Sequence, residues 1–112
     1  MSETAGLTVL IKGGGEVASG VAHRLHRSRL RVCLTEVAAP RAVSRGVTFS
    51  EAVFDGIKEV MGVRAELVLP TAAEISRVWR QGDIPIVVDP EATVRAVLRP
   101  AVLVDAIMAK RN

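Results

Sequence analysis

The chain has 112 residues, enough for one domain with a buried core, and 49% of them are hydrophobic, which argues against a disordered protein. The net charge is +3, but aromatic residues make up only 3% of the chain, so the stacking surfaces of single-strand binders are missing and nucleic acid is not an expected partner. No apolar run approaches the roughly 20 residues of a transmembrane helix. The N-terminus does not read as a signal peptide, so we expect a cytoplasmic protein without a membrane partner.

The first part of the chain reads as strand, glycine loop, helix and strand. An apolar run through Thr8–Ile11 enters the glycines, and a helix is expected from Gly15 to Ser28. The helix face predicted to pack on a sheet carries Val17, Ala18, Val21, Ala22 and Leu25. Gly20 is costly inside a helix, and close approach of another segment would explain it. The next strand covers Leu30–Thr35, and its one cysteine, Cys33, is expected to be a small buried hydrophobe.

The middle of the chain combines an irregular stretch with a predicted hairpin. Residues 38–48 contain Pro40 and Gly46, which break regular structure. Ser50–Asp55 predicts one or two helical turns, capped by Ser50 and ended by Gly56. Two β-rich runs, Ile57–Met61 and Val63–Leu69, then predict a tight hairpin around Gly62.

The last part of the chain alternates helix and strand. A capping box, Thr71-x-x-Glu74, begins a helix that ends at Gly82 and buries Ile75, Val78 and Trp79. The strand Ile84–Val88 follows. Asp89-Pro90 predicts a further helix with Asp89 as its N-cap, ending before Pro100. Ala101–Val104 is the final predicted strand, and Asp105 follows it.

This alternation predicts an α/β fold. Near-continuous apolar strands suit a parallel sheet with helices on both faces. We therefore expect residues 1–112 to form one Rossmann-like, three-layer domain with a mostly parallel sheet and a β-hairpin insertion.

The strongest functional signal is the pattern Gly13-x-Gly15-x-x-Ala18, placed between a strand and a helix, with Glu36 closing the next strand. Glycines permit a tight turn and close approach to a phosphate, a helix N-terminus favours an anion, and an acid can bind ribose hydroxyls. The sequence therefore predicts binding of NAD or another dinucleotide. The alternatives are a glycine-rich turn without a ligand and a strand-end carboxylate in solvent. The predicted cofactor-binding residues are Gly13, Gly14, Gly15, Glu16, Val17, Ala18 and Glu36.

Further polar residues follow the predicted strands, but none completes a catalytic group. For Asp105, a role in a binding site and a purely structural role both stay open. For Lys12, contact with a bound phosphate and an ion pair with a neighbouring acid both stay open. Arg41 and Arg45 complicate the preference of Glu36 for NAD over NADP. No Ser, Cys or His has a base at a recognisable spacing, so the catalytic residues stay unassigned. His23 is expected on the solvated side of the helix and His26 at its flank, and no metal site is predicted.

Four segments of the chain, residues 11–25, 49–56, 88–91 and 98–106, carry most of a resemblance to a known family. Through them the chain resembles the YqeB-like accessory proteins of selenium-dependent molybdenum hydroxylase systems. The resemblance implies a role in supplying the molybdenum cofactor or its selenium ligand, with a molybdenum hydroxylase or its cofactor-maturation proteins as partners and a molybdopterin dinucleotide as an alternative ligand. The family is similar in character to the XdhC-type accessory proteins, which carry a Rossmann domain.

The chain departs from this family in three places. Family members often have two adjacent arginines where this chain has Ser44-Arg45, an arginine in place of Ile107, and a continuation beyond Asn112. A fragment of a longer protein and a short relative therefore both stay open.

Two other classes of function also stay open. One is an NAD-dependent oxidoreductase, which the glycine pattern and Glu36 support. The other is a non-catalytic interaction module that docks an acidic partner through the basic residues Arg24, Arg27 and Arg31. A homo-oligomer is compatible with each of these readings.

Overall fold

The computed structural model describes residues 7–13, 15–38 and 48–106. Within these ranges the sheet has six strands. The strands are β1 Thr8–Lys12, β2 Arg31–Glu36, β3 Ile57–Val60, β4 Val63–Leu67, β5 Ile84–Val88 and β6 Val102–Asp105. The helices are α1 Glu16–Arg27, α2 Ala52–Asp55, α3 Ala72–Arg80 and α4 Arg95–Leu98, with a 3₁₀ turn at Phe49–Glu51 before α2.

The sheet is mostly parallel, in the order β3-β4-β5-β2-β1-β6. Only β3 and β4 pair antiparallel, and the other neighbours are parallel. The strands β2 and β5 lie on one side of β1 and β6 lies on the other, so the strand order reverses next to β1. The predicted mixed α/β class, mostly parallel sheet and inserted hairpin are confirmed.

The hairpin turns at Met61 and Gly62, which both have positive φ angles, of 48° and 81°. This pair of left-handed residues is typical of two-residue hairpin loops, because their twist matches that of the strands.

The core divides into two clusters, one on each face of the sheet. Alternate residues of β1 point to opposite faces, so Val9 and Ile11 join the first cluster and Leu10 joins the second. The first cluster includes buried residues of α1 and α2, and the second includes Ile75 and Val78 of α3. Helices therefore cover both faces. No helix in the part of the chain that the structure describes is long and apolar enough to cross a membrane.

The buried face of α1 differs from the prediction at one residue. Ala18 and Ala22 are fully buried, and Val21 and Leu25 pack against the same cluster. Val17 was predicted on this face but is 48% exposed. Successive helical residues are rotated by about 100°, so Val17 lies off the stripe that Ala18 and its neighbours form. Gly20 is exposed and no described atom approaches its Cβ position within 4 Å, so the expected close approach is wrong.

Two predicted helix starts have mixed outcomes. Thr71 caps α3 as predicted, since its hydroxyl oxygen accepts the N–H of Glu74 at 3.2 Å. Ser50 is not a cap, because it lies inside the 3₁₀ turn and its buried hydroxyl contacts that of Thr48 at 3.2 Å. The predictions at Pro40 and Gly46 lie outside the described residues.

Candidate functional site

The predicted polar residues lie along one edge of the sheet, where the parallel strands β5, β2, β1 and β6 end. Three backbone hydrogen bonds extend the sheet past these ends. The N–H groups of Asp89, Gly13 and Ala106 donate to the carbonyls of Glu36, Thr35 and Lys12 at 2.9, 2.7 and 3.0 Å. The residues Gly13, Glu36, Asp89 and Asp105 therefore occupy neighbouring positions, as predicted, and the reversal of strand order falls between β1 and β6.

The glycines of the loop after β1 have different roles. Gly13 has a φ of 111°, which favours glycine, and its N–H is occupied by the carbonyl of Thr35. Gly15 has an ordinary φ of −75°, and no described atom lies within 4 Å of where its Cβ would be. Neither backbone conformation nor packing requires glycine at position 15. Its missing side chain instead leaves open space at the start of α1. Gly14 lies outside the described residues.

The start of α1 presents helical N–H groups to this space. Gly15 is the N-cap, and its carbonyl accepts the N–H of Ser19 at 2.8 Å. The first N–H groups of a helix have no intrahelical acceptor and carry the positive end of its dipole. Ala18 is buried against the sheet, as its place in the pattern predicts. Glu16 and Val17 are exposed, and the carboxylate of Glu16 repels a phosphate that approaches it closely.

Glu36 lies at the end of β2, beside the glycine loop. The register pairs Lys12 with Thr35, so Gly13 and Glu36 are the next residues along these neighbouring strands. One carboxylate oxygen of Glu36 accepts the N–H of Val37 at 2.8 Å. This bond holds the side chain at the end of the strand. Arg41 and Arg45 lie outside the described residues, so the preference for NAD over NADP stays a prediction.

Asp89 organises the turn after β5. Its carboxylate accepts the N–H and hydroxyl of Thr93 at 3.0 and 2.9 Å, and the N–H of Val94 at 2.8 Å. Burial alone raises the pKa of Asp89, but the hydrogen bonds from Val94 and Thr93 outweigh it, and the pKa lies below its ordinary value. Asp89 therefore has a structural role in this chain.

The predicted helix start at Asp89-Pro90 is wrong. Residues 90–94 form turns, and α4 begins only at Arg95. Ala92 adopts a left-handed φ of 54°, which interrupts a helix that would begin at Pro90. The carboxylate consequently caps a loop, and the hydroxyl of Thr93 is a partner that the sequence analysis missed. The spacing of a strand-end aspartate and a threonine four residues later could have indicated it.

Lys12 lies on β1 between Asp105 of β6 and Thr35 of β2 in the register of the sheet. Residues paired in this way share a face, so a cation, a carboxylate and a hydroxyl stand in one row. The Thr35 hydroxyl is buried and has no hydrogen-bond partner in the part of the chain that is described. This row is close to the glycine loop, and both interpretations of Lys12, contact with a phosphate and pairing with an acid, stay open.

The two histidines of α1 contact neighbouring turns. His23 donates from Nε2 to the carbonyl of Met61 at 3.2 Å, and His26 does so to the carbonyl of Gly82 at 2.8 Å. Both residues are half-buried, so His23 is less solvated than predicted, whereas partial burial agrees with the flank position predicted for His26. Among residues 7–13, 15–38 and 48–106, no cluster of three His, Cys, Asp or Glu side chains has the arrangement of a metal site.

Cys33 is fully buried in β2, as predicted. Burial, together with the charge of Asp89, raises the pKa of its thiol far above the ordinary value. We expect no reaction of the native protein with an aromatic disulfide reagent at about pH 8, and one thiol per chain to react in denaturant. Rapid labelling of the native protein, followed by absorbance, would contradict this burial.

Comparison with known proteins finds one relative with high similarity. The chain is 42% identical over 104 residues to the uncharacterized protein YqeB of Escherichia coli (strain K12). The match covers 93% of this chain and 19% of YqeB, so the chain spans about a fifth of that protein's length. No family model matches the chain, and no solved structure matches it significantly.

Proposed function

We propose, from the similarity of this chain to YqeB, that it is a Rossmann-like nucleotide- or dinucleotide-binding domain of an accessory protein for a molybdenum hydroxylase. In this proposal the domain holds a nucleotide-bearing ligand while the molybdenum cofactor or its selenium ligand is supplied to the hydroxylase. The similarity to YqeB supports the proposal that this is a YqeB-like protein. The geometry at the glycine loop supports the proposal that its ligand is a nucleotide or dinucleotide.

The observation that carries the proposal is the open space at Gly15. It lies at the carboxyl end of β1, beside the reversal of strand order, which is where open α/β sheets bind their ligands. At the N-terminus of α1 a glycine lets a ligand approach the backbone closely, because it has no side chain.

The residues at this edge fit a pyrophosphate joined to ribose. The N–H groups at the start of α1 would receive the phosphate oxygens, because the N–H of Gly13 is already bonded. Glu36 would accept hydrogen bonds from ribose hydroxyls, which favours NAD over NADP. The carboxylate of Glu16 requires the phosphates to lie away from its side of the first turn. A molybdopterin dinucleotide carries the same pyrophosphate and is an alternative ligand.

We assign binding and no catalytic residue to this edge. Cys33 is buried, and the described histidines contact carbonyl groups elsewhere. An NAD-dependent oxidoreductase would need a group that exchanges a proton with the substrate, and we assign that role to none of the groups at this edge, including Lys12 and the Thr35 hydroxyl. Reduction of bound NAD by a small substrate is therefore the result that would favour that alternative.

The test is a thermal-shift panel with NAD⁺, NADP⁺, FAD, AMP, CTP and a molybdopterin-containing extract. A ligand at roughly 100 times its Kd adds about 2.7 kcal/mol and should raise the Tm by several degrees. We expect one dinucleotide to do so with the wild-type chain. Gly15→Ala should reduce this shift because its methyl group fills the open space, and Glu36→Gln should reduce it by weakening the ribose contact.

Gly20→Ala is the matched control, since its Cβ also meets no described atom and it lies in the same helix. It should keep the ligand shift and raise the unliganded Tm, because alanine is favoured over glycine in a helix by about 1 kcal/mol. An equal loss of the ligand shift in both glycine variants, or no shift with any ligand, would contradict the proposed site.

The proposed role in hydroxylase maturation needs a separate test. We expect co-expression of the full-length protein with its molybdenum hydroxylase to raise the fraction of active hydroxylase, and Gly15→Ala to reduce that gain. A gain that Gly15→Ala leaves unchanged would leave ligand binding standing but separate it from maturation.

A further inference from the structure

A cavity lies at the amino ends of the parallel strands, on the opposite edge of the sheet from the glycine loop. It has a volume of about 570 Å³ and is bounded by the end of α1, the start of β2, the second half of α3 and the turn before β5. This volume is within the range of sites for small ligands. Its charged and aromatic lining residues are His26, Arg29, Arg31, Trp79, Arg80 and Asp83.

The lining of this cavity has an excess of positive charge. The acid in the described lining, Asp83, already accepts hydrogen bonds from Nε and Nη2 of Arg64 at 2.9 and 2.8 Å. Arg29 and Arg80 form no ion pair with any residue in the described ranges. Two guanidinium groups thus face the cavity without a carboxylate, and guanidinium is the side-chain group best suited to phosphate and carboxylate.

The walls of the cavity are held together before any ligand binds. The indole N–H of Trp79 donates to the carbonyl of Val32 at 2.9 Å, and His26 bonds to the carbonyl of Gly82 across the gap between α1 and α3. The guanidinium of Arg31 stacks over the Trp79 ring at 5.4 Å from its centre. These contacts join both helices to the strand ends, so a ligand has to order mainly the exposed side chains of Arg29 and Arg80.

Helix dipoles account for the position of only one of the three arginines that line the cavity. Helices α1 and α3 both end at this edge, and a cation in the last turn of a helix is favoured, which accounts for Arg80. Arg29 follows α1, and Arg31 begins β2. Arg29 also has a left-handed φ of 69°, in the position after a helix where glycine is preferred. Arg29 therefore places a long charged side chain at a position where the backbone conformation favours glycine, which has no side chain.

We propose that this cavity binds a small organic oxyanion, a phosphate ester or a polycarboxylate, whose apolar part contacts Trp79. Arg29 and Arg80 contribute the charge-assisted hydrogen bonds, and the Arg31–Trp79 pair forms the wall. This site is separate from the glycine loop and does not depend on the function proposed for it.

Trp79 provides a direct probe, because it is the one tryptophan of the chain and the chain has no tyrosine. We would titrate the protein with phenyl phosphate, a phosphate ester with an apolar ring, and with citrate, following Trp79 emission and the heat of binding. We expect a saturable change with at least one of them. Arg29→Gly combined with Arg80→Gln should weaken that binding about tenfold or more, since each charge-assisted hydrogen bond contributes substantially.

Two comparisons separate a specific site from general charge. Arg27→Gln combined with Arg95→Gln removes the same charge from exposed residues that do not line the cavity. It should leave binding unchanged within about threefold, because neither residue contacts the ligand directly and exposed charges are screened. Gly15→Ala should also leave it unchanged, which distinguishes this cavity from the glycine loop.

Arg29→Gly alone gives a readout that a purely structural residue would not. We expect it to raise or keep the midpoint of urea unfolding, because glycine adopts the left-handed conformation without strain, while it weakens oxyanion binding. Absence of any saturable signal or heat, or equal binding by the double cavity variant, would overturn the proposal. Binding of an acidic peptide but of neither small anion would overturn it in favour of a protein-docking surface.

Discussion

Replacing Phe49 with alanine is expected to lower the free energy of unfolding by about 3–5 kcal/mol, the usual cost of truncating a buried phenylalanine. Phe49 is completely buried in the cluster that contains Ala18 and Ala22 of α1. Its N–H donates to the hydroxyl oxygen of Ser19 at 2.8 Å, so it also attaches the 3₁₀ turn to α1. The measurement is urea unfolding followed by circular dichroism.

Phe54→Ala is the matched control for this prediction. It is the same substitution at the other phenylalanine of the chain, which is 60% exposed. A change within about 1 kcal/mol is expected there, because surface substitutions rarely cost more. Similar losses in the two variants would show that Phe49 is not in the core as the structure has it. Since the buried ring supports α1, we also expect Phe49→Ala to weaken any ligand binding at Gly15.

Asp89→Ala should cost about 2–4 kcal/mol at neutral pH, because it removes three hydrogen bonds to a charged acceptor and leaves the buried N–H of Val94 without one. Asp89→Asn is also expected to destabilise the chain. Its amide oxygen can accept from Thr93, but its NH₂ group would face the N–H of Val94, donor against donor. Glu91→Ala, an exposed carboxylate in the same turn, is the control and should stay within about 0.5 kcal/mol.

The contribution of Asp89 depends on pH in a defined direction. Its pKa in the folded protein is lowered, so the unfolded chain takes up the proton first as pH falls. The stabilisation is complete above the unfolded pKa of about 3.9 and is lost as pH falls through the lower folded value. The difference in unfolding free energy between wild type and Asp89→Asn should therefore shrink below about pH 4. A difference that grows on acidification would contradict the three hydrogen bonds.

Much of the architecture could be predicted from local sequence because its signals are short-range. The capping box at Thr71 and the tight hairpin around Gly62 each depend on neighbouring residues, and both occur as predicted. Alternation of apolar strands and helices indicated a parallel sheet, and a parallel sheet places all strand ends at one edge. The sequence consequently predicts that Gly13, Glu36, Asp89 and Asp105 lie at one edge of the sheet.

Only the tertiary structure determines features that depend on residues distant in sequence, such as the exposure of Val17 and the role of Asp89. The hydropathy pattern of α1 is compatible with Val17 on the buried face or on the exposed side. Val17 is exposed because Ala18 and Ala22 pack on the sheet. The role of Asp89 depended on the left-handed Ala92, which the sequence did not indicate.

The cavity lined by Arg29, Trp79 and Arg80 is the clearest case of a feature that could not be predicted from the sequence. Arg29 and Arg80 come together only because α1 and α3, on opposite faces of the sheet, end at the same edge. The residues of a strand, a cap or a tight turn act on their neighbours within a few positions, so sequence alone determined those elements. A site built by two helices and two strand ends depends on long-range packing, and only the folded chain specifies it.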